Sequence, residues 1–235
     1  MIDIHCHILS NIDDGPRHID TSLKMAAIAA ADGIKAIIAT PHTDGIRVNR
    51  EVVRKAVQIL NSSLQQNKLD IKIYSGYEIP SYLLSELGRT YSLAESSYIL
   101  LEFPHTHLPS DAVITVSSAI SGGLRPIIAH PERNPDIAAC PELLNELVDA
   151  GAMVQLTASS LTGEQGLDIQ LCAHHLLKNK LAHFIATDSH SPSFRKPVLS
   201  IARSIAEKIV GREQTVKLFE QNAASIIQHS DITVK

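Results

Sequence analysis

The first sixteen residues, MIDIHCHILSNIDDGP, place two histidines on alternate positions around a cysteine and follow them with two aspartates. On an extended strand, successive side chains point to opposite faces, so His5 and His7 would share one face and Cys6 would point away. Two imidazoles at that spacing can chelate a metal ion. A polar strand end at the protein surface has the same pattern. The histidine pair therefore indicates a metal site only if further ligands lie elsewhere in the chain.

Further histidines and carboxylates stand where other predicted strands end. In parallel α/β folds the reacting groups gather at the carboxyl ends of the strands, because the loops converge there. Together with the first pair, the candidate metal ligands are His5, His7, Asp14, His42, Glu78, Glu102, His130, Asp188 and His190. Asp13 is an alternative to Asp14, and the sequence does not decide between them. Packing so many ionisable groups together is costly through desolvation and repulsion unless cations neutralise them.

The types of these side chains limit the metal. Imidazole and carboxylate ligands without a thiolate favour Mn²⁺, Fe²⁺ or Zn²⁺ over copper or an iron–sulfur cluster. The set is larger than one ion can use, so we expect two or three divalent ions with at least one bridging carboxylate. Ions held about 3.5 to 4 Å apart are typical of hydrolytic phosphoryl transfer.

Two arginines lie in loops where a phosphate would bind. Arg133 follows His130 by three residues, and Arg195 follows His190 by five. A guanidinium offers two parallel hydrogen bonds to a phosphate group. We therefore predict that both arginines are catalytic residues, with an exposed loop arginine as the alternative for each.

The secondary-structure elements that must position these residues are predicted to alternate regularly between strands and helices. Short apolar runs predict β-strands at 2–5, 34–40, 71–79, 98–103, 125–130, 152–157 and 183–188. Amphipathic stretches between them predict helices, and two closing helices are expected over 198–210 and 213–222. This alternation indicates an α/β fold with a mostly parallel sheet. Seven βα units suit a barrel with one unit fewer than the usual eight, and an open parallel sheet is the alternative.

Composition narrows the class of protein further. The 235 residues contain no Gly/Ser-rich or Pro-rich linker, so a single domain over 1–235 is expected. A formal charge of −4 argues against nucleic acid as the main partner. There is no apolar run long enough for membrane insertion and no signal-peptide pattern, which predicts a cytoplasmic protein. Three scattered cysteines, Cys6, Cys140 and Cys172, fit reduced thiols.

The ordered motifs resemble those of one enzyme superfamily. With HxH on the first strand, PH after the second, a mid-chain Glu, a later His and a terminal DxH, the chain resembles the PHP (polymerase and histidinol phosphatase) superfamily. Its motifs match in order the branch of bacterial manganese-dependent protein tyrosine phosphatases of capsule and exopolysaccharide operons. These motifs are MIDIHCHIL, IDDGP, IIATPH, GYEI, YILLEFP, IIAHPER and TDSH followed by Arg195. The histidinol phosphatase branch has an additional His after HxH, where this chain has IDDG.

The resemblance implies a distorted (β/α)₇ TIM-like barrel, the PHP fold, with a trinuclear metal site for which Mn²⁺ is the most fitting ion. It assigns three ligand sets. The first ion would take His5, His7, Glu78 and Asp188; the second Glu78, Glu102 and His130; and the third Asp14, His42 and His190. Glu78 would be the bridge.

The resemblance also implies a metal-dependent phosphomonoester hydrolase. The substrate would be a phosphotyrosine protein, the tail of an autophosphorylated tyrosine kinase, and the reaction would regulate exopolysaccharide or capsule synthesis. One alternative is a PHP phosphoesterase that acts on a small molecule such as histidinol phosphate, or on nucleotide ends. Another is a metal-stabilised assembly module without turnover. Oligomers occur among relatives of this branch, and the sequence predicts no number of subunits.

A cysteine-based phosphatase is excluded by spacing. Such enzymes place Arg six residues after the nucleophile, whereas the three cysteines are followed at that spacing by Ile12, Glu146 and Lys178. His105 and His107 repeat the alternating pair of the first strand and are predicted at the rim near the substrate. The remaining histidines are interpreted as structural: His18, His174, His175, His183 and His229.

Overall fold

The computed structural model describes residues 1–232, so residues 233–235 of the expected domain lie outside the described part. Within it, eight β-strands form two sheets in which every pair of neighbours is parallel. The first sheet has the order β1 (Ile2–Cys6), β2 (Ala36–Ala39) and β3 (Lys72–Ser75). The second has the order β4 (Glu78–Pro80), β5 (Tyr98–Glu102), β6 (Arg125–Ala129), β7 (Met153–Thr157) and β8 (Phe184–Ala186). The predicted α/β fold with parallel sheets is confirmed.

Helices separate most of the strands, as the alternation predicts. Over residues 1–232 the α-helices are α1 (Ile19–Ala31), α2 (Arg50–Gln66), α3 (Leu84–Leu87), α4 (Ala112–Ser121), α5 (Pro135–Ala139), α6 (Leu143–Asp149), α7 (Ala158–Thr162), α8 (Leu167–Lys178), α9 (Ser200–Val216) and α10 (Asn222–Ile227). Helix α9 is interrupted at Gly211, whose φ of 78° lies in the left-handed region that glycine tolerates. This break explains why the sequence predicts two closing helices rather than one.

The predicted third strand, 71–79, is divided in the structure. Gly76 and Tyr77 separate β3 from β4, so the two halves belong to different sheets. A Cβ atom at position 76 would lie 2.6 Å from Ile38 Cγ2 and 2.9 Å from Leu93 Cδ2. Only glycine therefore allows the chain to approach β2 so closely at the point where it changes sheets.

Two isolated parallel bridges link the sheets at the ends of their strands. One joins His42, beyond β2, to Glu78 at the start of β4, and the other joins Cys6 of β1 to Ser189, beyond β8. Both bridges involve a candidate ligand or its immediate neighbour. The junctions between the sheets therefore lie where the predicted site residues gather.

Apolar side chains pack on both faces of the strands. One buried cluster lies between strands and helices and runs along the chain from Cys6 to Phe219. A second, smaller cluster contains alternate strand residues such as Ile4, Ile38 and Leu100. Strands buried on both faces are typical of parallel sheets covered by helices. Among residues 1–232, no helix is both long enough and apolar enough to cross a membrane.

Candidate metal centre

Four buried side chains form a compact set that we call the inner group: His5, His7, Glu78 and Asp188. The Nε2 atoms of His5 and His7 lie 3.2 Å apart, and each lies 3.3 Å from Glu78 Oε2. Asp188 Oδ1 lies 3.3 Å from His5 Nε2 and 3.5 Å from His7 Nε2. None of the four side chains is more than 2% exposed. Residues from the start, middle and end of the chain thus meet at one point.

The spacing of these donor atoms fits a divalent cation. The five distances given above all lie between 3.2 and 3.5 Å. The donor atoms of His5, His7 and Glu78 form a triangle with edges of 3.2 to 3.3 Å, and a point about 2 Å from all three exists, the usual bond length from zinc to an imidazole nitrogen or a carboxylate oxygen. Mixed imidazole and carboxylate donors suit Mn²⁺, Fe²⁺ and Zn²⁺. The inner group fits a metal ion in both donor type and spacing.

Hydrogen bonds behind the two histidines fix which nitrogen faces the group. His5 Nδ1 lies 2.9 Å from Gln155 Oε1, and His7 Nδ1 lies 2.6 Å from Asp13 Oδ2. Because an amide oxygen and a carboxylate can only accept, each Nδ1 carries the proton and donates it. The Nε2 lone pairs are therefore left free to bind a cation, an arrangement found behind metal-ligating histidines generally. Gln155 is not among the predicted ligands, and Asp13 is predicted only as the alternative to Asp14.

The two aspartates of the IDDGP motif play different parts. Asp13 faces His7 Nδ1 and also accepts from the backbone N–H groups of Gly15 and His42. Asp14 is 62% exposed, and its Oδ1 lies 3.3 Å from His190 Nε2. A Cβ atom at position 15 would lie 2.3 Å from the His7 carbonyl oxygen, so only glycine lets this loop fold back against β1.

A second, more open set lies beside the inner group, and we call Asp14, His42 and His190 the outer group. Asp14 Oδ1 lies 3.9 Å from His42 Nε2, while His42 Nδ1 lies 3.1 Å from Glu78 Oε2. The His42 side chain is 41% exposed, whereas that of His190 is 12% exposed. Donor atoms of the three residues, together with His7, all lie within 4.8 Å of one another.

Glu78 also connects the inner group to a third set of donors. Its Oε1 lies 2.9 Å from His130 Nε2, and His130 Nε2 lies 3.7 Å from Glu102 Oε1. His105, predicted at the rim, lies closer than expected, because its Nε2 is 3.1 Å from Glu102 Oε1. The exposed His107 contacts only Thr106 through a side-chain hydrogen bond within residues 1–232. The structure therefore brings all nine predicted ligands together and adds His105.

Both predicted arginines meet at Asp188. Arg133 Nη1 donates to Asp188 Oδ2 at 2.6 Å, and Arg195 Nη2 donates to the same oxygen. The other oxygen of Asp188 faces His5 and His7, so one carboxylate joins the arginines to the inner group. Arg133 Nε and Nη2 and Arg195 Nε are buried without a hydrogen-bond partner among residues 1–232. These N–H groups therefore lack the partner that a buried donor normally has.

The charges of the inner group are strongly coupled. Burial alone would raise the pKa of the Glu78 carboxyl, but His5 and hydrogen bonds from the surrounding histidines hold it well below its usual range. Burial opposes ionisation of Asp188 as well, yet His5, His7 and Arg133 hold its pKa well below normal. Burial would lower the pKa of His5, but Glu78 and Asp188 raise it. The ionised carboxylates are thus stabilised by a neighbouring positive charge, which a proton on the histidines or a metal ion can supply.

Asp3 is a supporting residue that the sequence does not single out. It is fully buried, accepts from Thr187 Oγ1 at 2.5 Å and Thr187 N at 3.0 Å, and also accepts from His5 N. Burial raises its pKa to about 6. The contact ties β1 to the end of β8, directly before Asp188. Its position two residues before His5 on the same strand face is the signal that could have found it.

Several site residues hold an uncommon backbone conformation. His130, Asp188 and Arg195 have φ values of 33°, 49° and 53°, in the left-handed region that non-glycine residues seldom adopt. Such strain persists where the surroundings determine it, and it is concentrated at functional sites. Cys6, in contrast, is buried away from the donors, and burial raises the pKa of its thiol well above normal. A thiol held protonated is a poor nucleophile.

Comparison with known proteins places the chain among capsule-synthesis proteins. The family model described as "Capsular polysaccharide synthesis, CpsB/CapC" matches residues 1–228. Tyrosine-protein phosphatase YwqE of Bacillus subtilis is 37% identical over 238 residues, an alignment that covers 99% of this chain and 93% of that protein. Tyrosine-protein phosphatase CpsB of Streptococcus pneumoniae is 29% identical over 244 residues, covering 97% of this chain and 98% of the other.

Solved structures agree with the sequence comparison. A structure from work on YwqE of Bacillus subtilis and CpsB of Streptococcus pneumoniae, reported as unique metal-dependent tyrosine phosphatases, matches with a TM-score of 0.92 and 35% identity. The match covers 100% of this chain and 97% of that one. Histidinol phosphate phosphatase of Lactococcus lactis, solved with zinc, L-histidinol and phosphate, matches with a TM-score of 0.58 at 16% identity. It covers 90% of this chain and 94% of the other, a likeness of fold alone.

Proposed function

This chain belongs to the capsular polysaccharide synthesis CpsB/CapC family, and from that premise we propose that it is a metal-dependent protein tyrosine phosphatase. The observation that carries the proposal is the double role of Asp188. One of its oxygens faces the inner-group histidines, and the other receives two arginines. A metal site and a phosphate-binding site are thereby joined through one carboxylate.

We infer three ligand sets, of which the first two share Glu78 as a bridge. The proposed sets are His5, His7, Glu78 and Asp188 for the first ion; Glu78, Glu102 and His130 for the second; and Asp14, His42 and His190 for the third. The contacts of Asp14 with the outer group, and those of Asp13 with His7, support Asp14 as the ligand and Asp13 as the residue that orients His7. The donor chemistry supports Mn²⁺ as the native ion, with Fe²⁺ or Zn²⁺ as alternatives.

The proposed fold is one distorted (β/α)₇ barrel. In this interpretation β3 and β4 are two halves of a single strand, and the bridges His42–Glu78 and Cys6–Ser189 close the ring of strands. A single domain over 1–235 is part of the same proposal. The family match over residues 1–228 and the continuous apolar cluster from Cys6 to Phe219 support it.

The arginines are proposed to bind the transferred phosphoryl group. The buried, unpartnered N–H groups of Arg133 and Arg195 can donate to its equatorial oxygens, where charge accumulates in the transition state. Asp188 holds both guanidiniums in place, while Gln155 and Asp13 hold the imidazoles of His5 and His7. When bound, divalent ions would supply a nucleophile from water at neutral pH and neutralise charge on the phosphate oxygens.

A tyrosyl leaving group suits this set of residues. A phenol has a pKa near 10, so its oxygen needs less proton donation than an alkyl alcohol would. The family description supports a substrate in capsule or exopolysaccharide synthesis, and we infer an autophosphorylated tyrosine kinase tail as that substrate. Free Cys6, Cys140 and Cys172 support a reaction in the cytoplasm.

Substrate preference tests the proposal directly. The protein would be loaded with Mn²⁺ and assayed against a phosphotyrosyl peptide, histidinol phosphate and a nucleotide monoester, with kcat/KM as the readout. We expect the phosphotyrosyl peptide to be preferred. A preference for histidinol phosphate or the nucleotide would contradict the substrate but not the metal centre, and no turnover on any of the three would favour an assembly module.

A cysteine variant separates the metal-dependent reaction from a thiol-dependent one. Cys140 is the exposed cysteine, so Cys140→Ser removes the accessible thiol with little effect on packing. We expect unchanged turnover in this variant and loss of turnover in wild-type protein treated with a chelator. Loss of activity in Cys140→Ser with its metal content intact would contradict the mechanism.

A further inference from the structure

A polar cavity lies outside the metal centre, beside the end of β3 and the start of α2. It has a volume of about 320 Å³ and is open to solvent. Arg50 and Arg54 line it from the first turns of α2, and Arg89 lines it from the turn that follows α3. We call this cavity the arginine pocket.

The charges that line the arginine pocket do not balance. Glu95 is the acidic residue among the lining side chains, and its Oε1 lies 4.0 Å from Arg54 Nε, the outer limit of an ion pair. Arg89 Nη2 donates to the backbone oxygen of Gly123, which leaves its charge unneutralised. Arg50 has no ion-pair partner within residues 1–232. Three guanidiniums against one carboxylate leave a net charge of +2, which matches a phosphate-class dianion.

The floor of the pocket offers neutral donors. Tyr77 and Ser92 line it and are only 3% and 5% exposed. Their hydroxyl groups have no hydrogen-bond partner in the part of the chain that the structure describes. Hydroxyl donors below a ring of guanidiniums suit an oxyanion, because hydrogen bonds that involve an ionised group are the strong ones. A cation would be repelled by the same lining.

The arginine pocket lies next to the metal centre. Tyr77, on its floor, is directly followed in the chain by Glu78 of the inner group. Helix α2, which carries Arg50 and Arg54, begins eight residues after His42, so the pocket and the metal centre both border the segment between β2 and α2. A substrate whose phosphotyrosine enters the metal centre could therefore place a second anion in the pocket.

We propose that Arg50, Arg54 and Arg89 form a second anion-binding site that takes a phosphate dianion, the chemistry shared by inorganic phosphate and a second phosphotyrosine of the substrate segment. The second of these sources rests on the proposed function. Binding there would favour multiply phosphorylated segments over singly phosphorylated ones. Once the first phosphotyrosine is bound in the metal centre, the second is held at a high local concentration near the pocket. The pocket would thus set substrate preference without contacting the reacting phosphorus.

Binding of non-hydrolysable peptides tests the site apart from turnover. The probes are labelled peptides with one or two difluoromethylphosphonate analogues of phosphotyrosine, separated by two to six residues, and inorganic phosphate alone. Metal-loaded wild type would be compared with Arg50→Gln/Arg54→Gln by fluorescence anisotropy and, for phosphate, by calorimetry. Lys55→Gln/Lys208→Gln removes the same charge from exposed positions outside the pocket and serves as the control.

We expect the double arginine variant to bind the doubly modified peptide about tenfold more weakly, because it loses two of the three guanidiniums that line the pocket. Binding of the singly modified peptide should change less than twofold, and the lysine control should match wild type. Loss of phosphate binding in the arginine variant, without any advantage of two modifications over one, would assign the site to free phosphate. Equal affinities of wild type and arginine variant for every probe would overturn the site. Arginine-dependent binding in a protein that hydrolyses no phosphotyrosine would overturn the proposed function and leave the pocket standing.

Discussion

The inner and outer groups of the metal centre use the same residue types in opposite surroundings. In the inner group, His5, His7, Glu78 and Asp188 are almost completely buried, and the imidazole Nε2 atoms lie at most 3.5 Å from the other donor atoms. In the outer group, Asp14 is 62% exposed and its donor distances reach 3.9 Å. The inner donors are fixed by hydrogen bonds behind them, whereas much of the outer group faces solvent.

The difference in burial suits two different roles. The inner group is suited to binding a cation, and the outer group is suited to admitting a substrate. A buried cluster of carboxylates and imidazoles is costly unless a cation neutralises it, so the inner group should bind its ion tightly. The free-energy cost of leaving a set of donors without an ion is lower when the set is exposed and wider. Such a set also leaves room for phosphate and water. Catalytic metal sites need such an open position, whereas structural sites are closed. The following predictions test whether the two groups differ in this way.

The largest effect is expected from Glu78→Gln, which removes the charge of the proposed bridge while keeping its size. Loss of the bridging carboxylate should lower kcat/KM by more than about 10³-fold and reduce bound metal, because the inner donors no longer balance a divalent charge. Steady-state assays and elemental analysis of the purified protein would measure both. The exposed Glu86→Gln is the matched control. Activity of Glu78→Gln within tenfold of wild type would contradict the bridging role.

A smaller effect is expected from Arg133→Lys. The substitution keeps the charge near Asp188 but loses the planar set of N–H donors, of which Nε and Nη2 are buried and free. Removing a donor that stabilises the transition state typically costs about 10²- to 10³-fold in kcat. We expect such a loss in kcat with metal content unchanged, and no loss in the exposed control Arg212→Lys. A fall in metal content equal to the fall in kcat would show that Arg133 acts only by holding Asp188.

The inner group was largely predictable from the sequence, for a physical reason. His5 and Asp188 each lie at the carboxyl end of an apolar run, and parallel strands bring such ends to the same edge, whereas Glu78, predicted at such an end, opens β4 directly after the break at Gly76 and Tyr77. That rule needs only the order of strands and no side-chain detail. Membership of the phosphatase family, predicted from the same ordered motifs, is confirmed by the comparisons.

Other features depend on contacts that no local pattern specifies. The hydrogen bond between Asp13 and His7 arises from the close approach of Gly15 to β1, so the neighbouring aspartates looked equivalent in the sequence. The break of the strand predicted over 71–79 depends on packing around Gly76. The arginine pocket combines residues from α2 and the segment after α3, and neither segment carries a strand-end motif.

Substitutions of the adjacent residues Asp13 and Asp14 test the comparison between the inner group and the outer group within one short loop. Asp13→Asn should weaken the most tightly bound ion by about 10- to 100-fold, the usual effect of removing a carboxylate behind a ligating histidine. Asp14→Asn should leave that ion in place and release the most weakly bound one. Competitive titration with a metal indicator would measure each step. The reverse result, with Asp13→Asn releasing only the weak ion, would make Asp13 the outer ligand.

The smallest effect on activity is expected from His183, a buried histidine outside both groups. Carboxylates raise the pKa of His5 against its burial, whereas burial lowers the pKa of His183 to about 4 from 6.5. The folded protein therefore resists protonation of His183, while the unfolded chain accepts a proton below pH 6.5. As the pH falls from 7 to 5, this single group should remove about 2 kcal/mol of stability, and the loss is complete below pH 4.

His183→Asn isolates that contribution. His183 Nδ1 accepts a hydrogen bond from Val154 N at 3.1 Å, and an asparagine oxygen can accept in its place without titrating. Urea unfolding in the presence of a chelator, at pH 5 and pH 7, should show a pH dependence about 2 kcal/mol smaller in the variant than in wild type. Activity at pH 7 should be unchanged, and the exposed control His107→Asn should retain the wild-type pH dependence. If His183→Asn kept that dependence in full, another histidine with a lowered pKa, such as His190, whose pKa burial lowers to about 4, would have to carry it, and the assignment to His183 would fail.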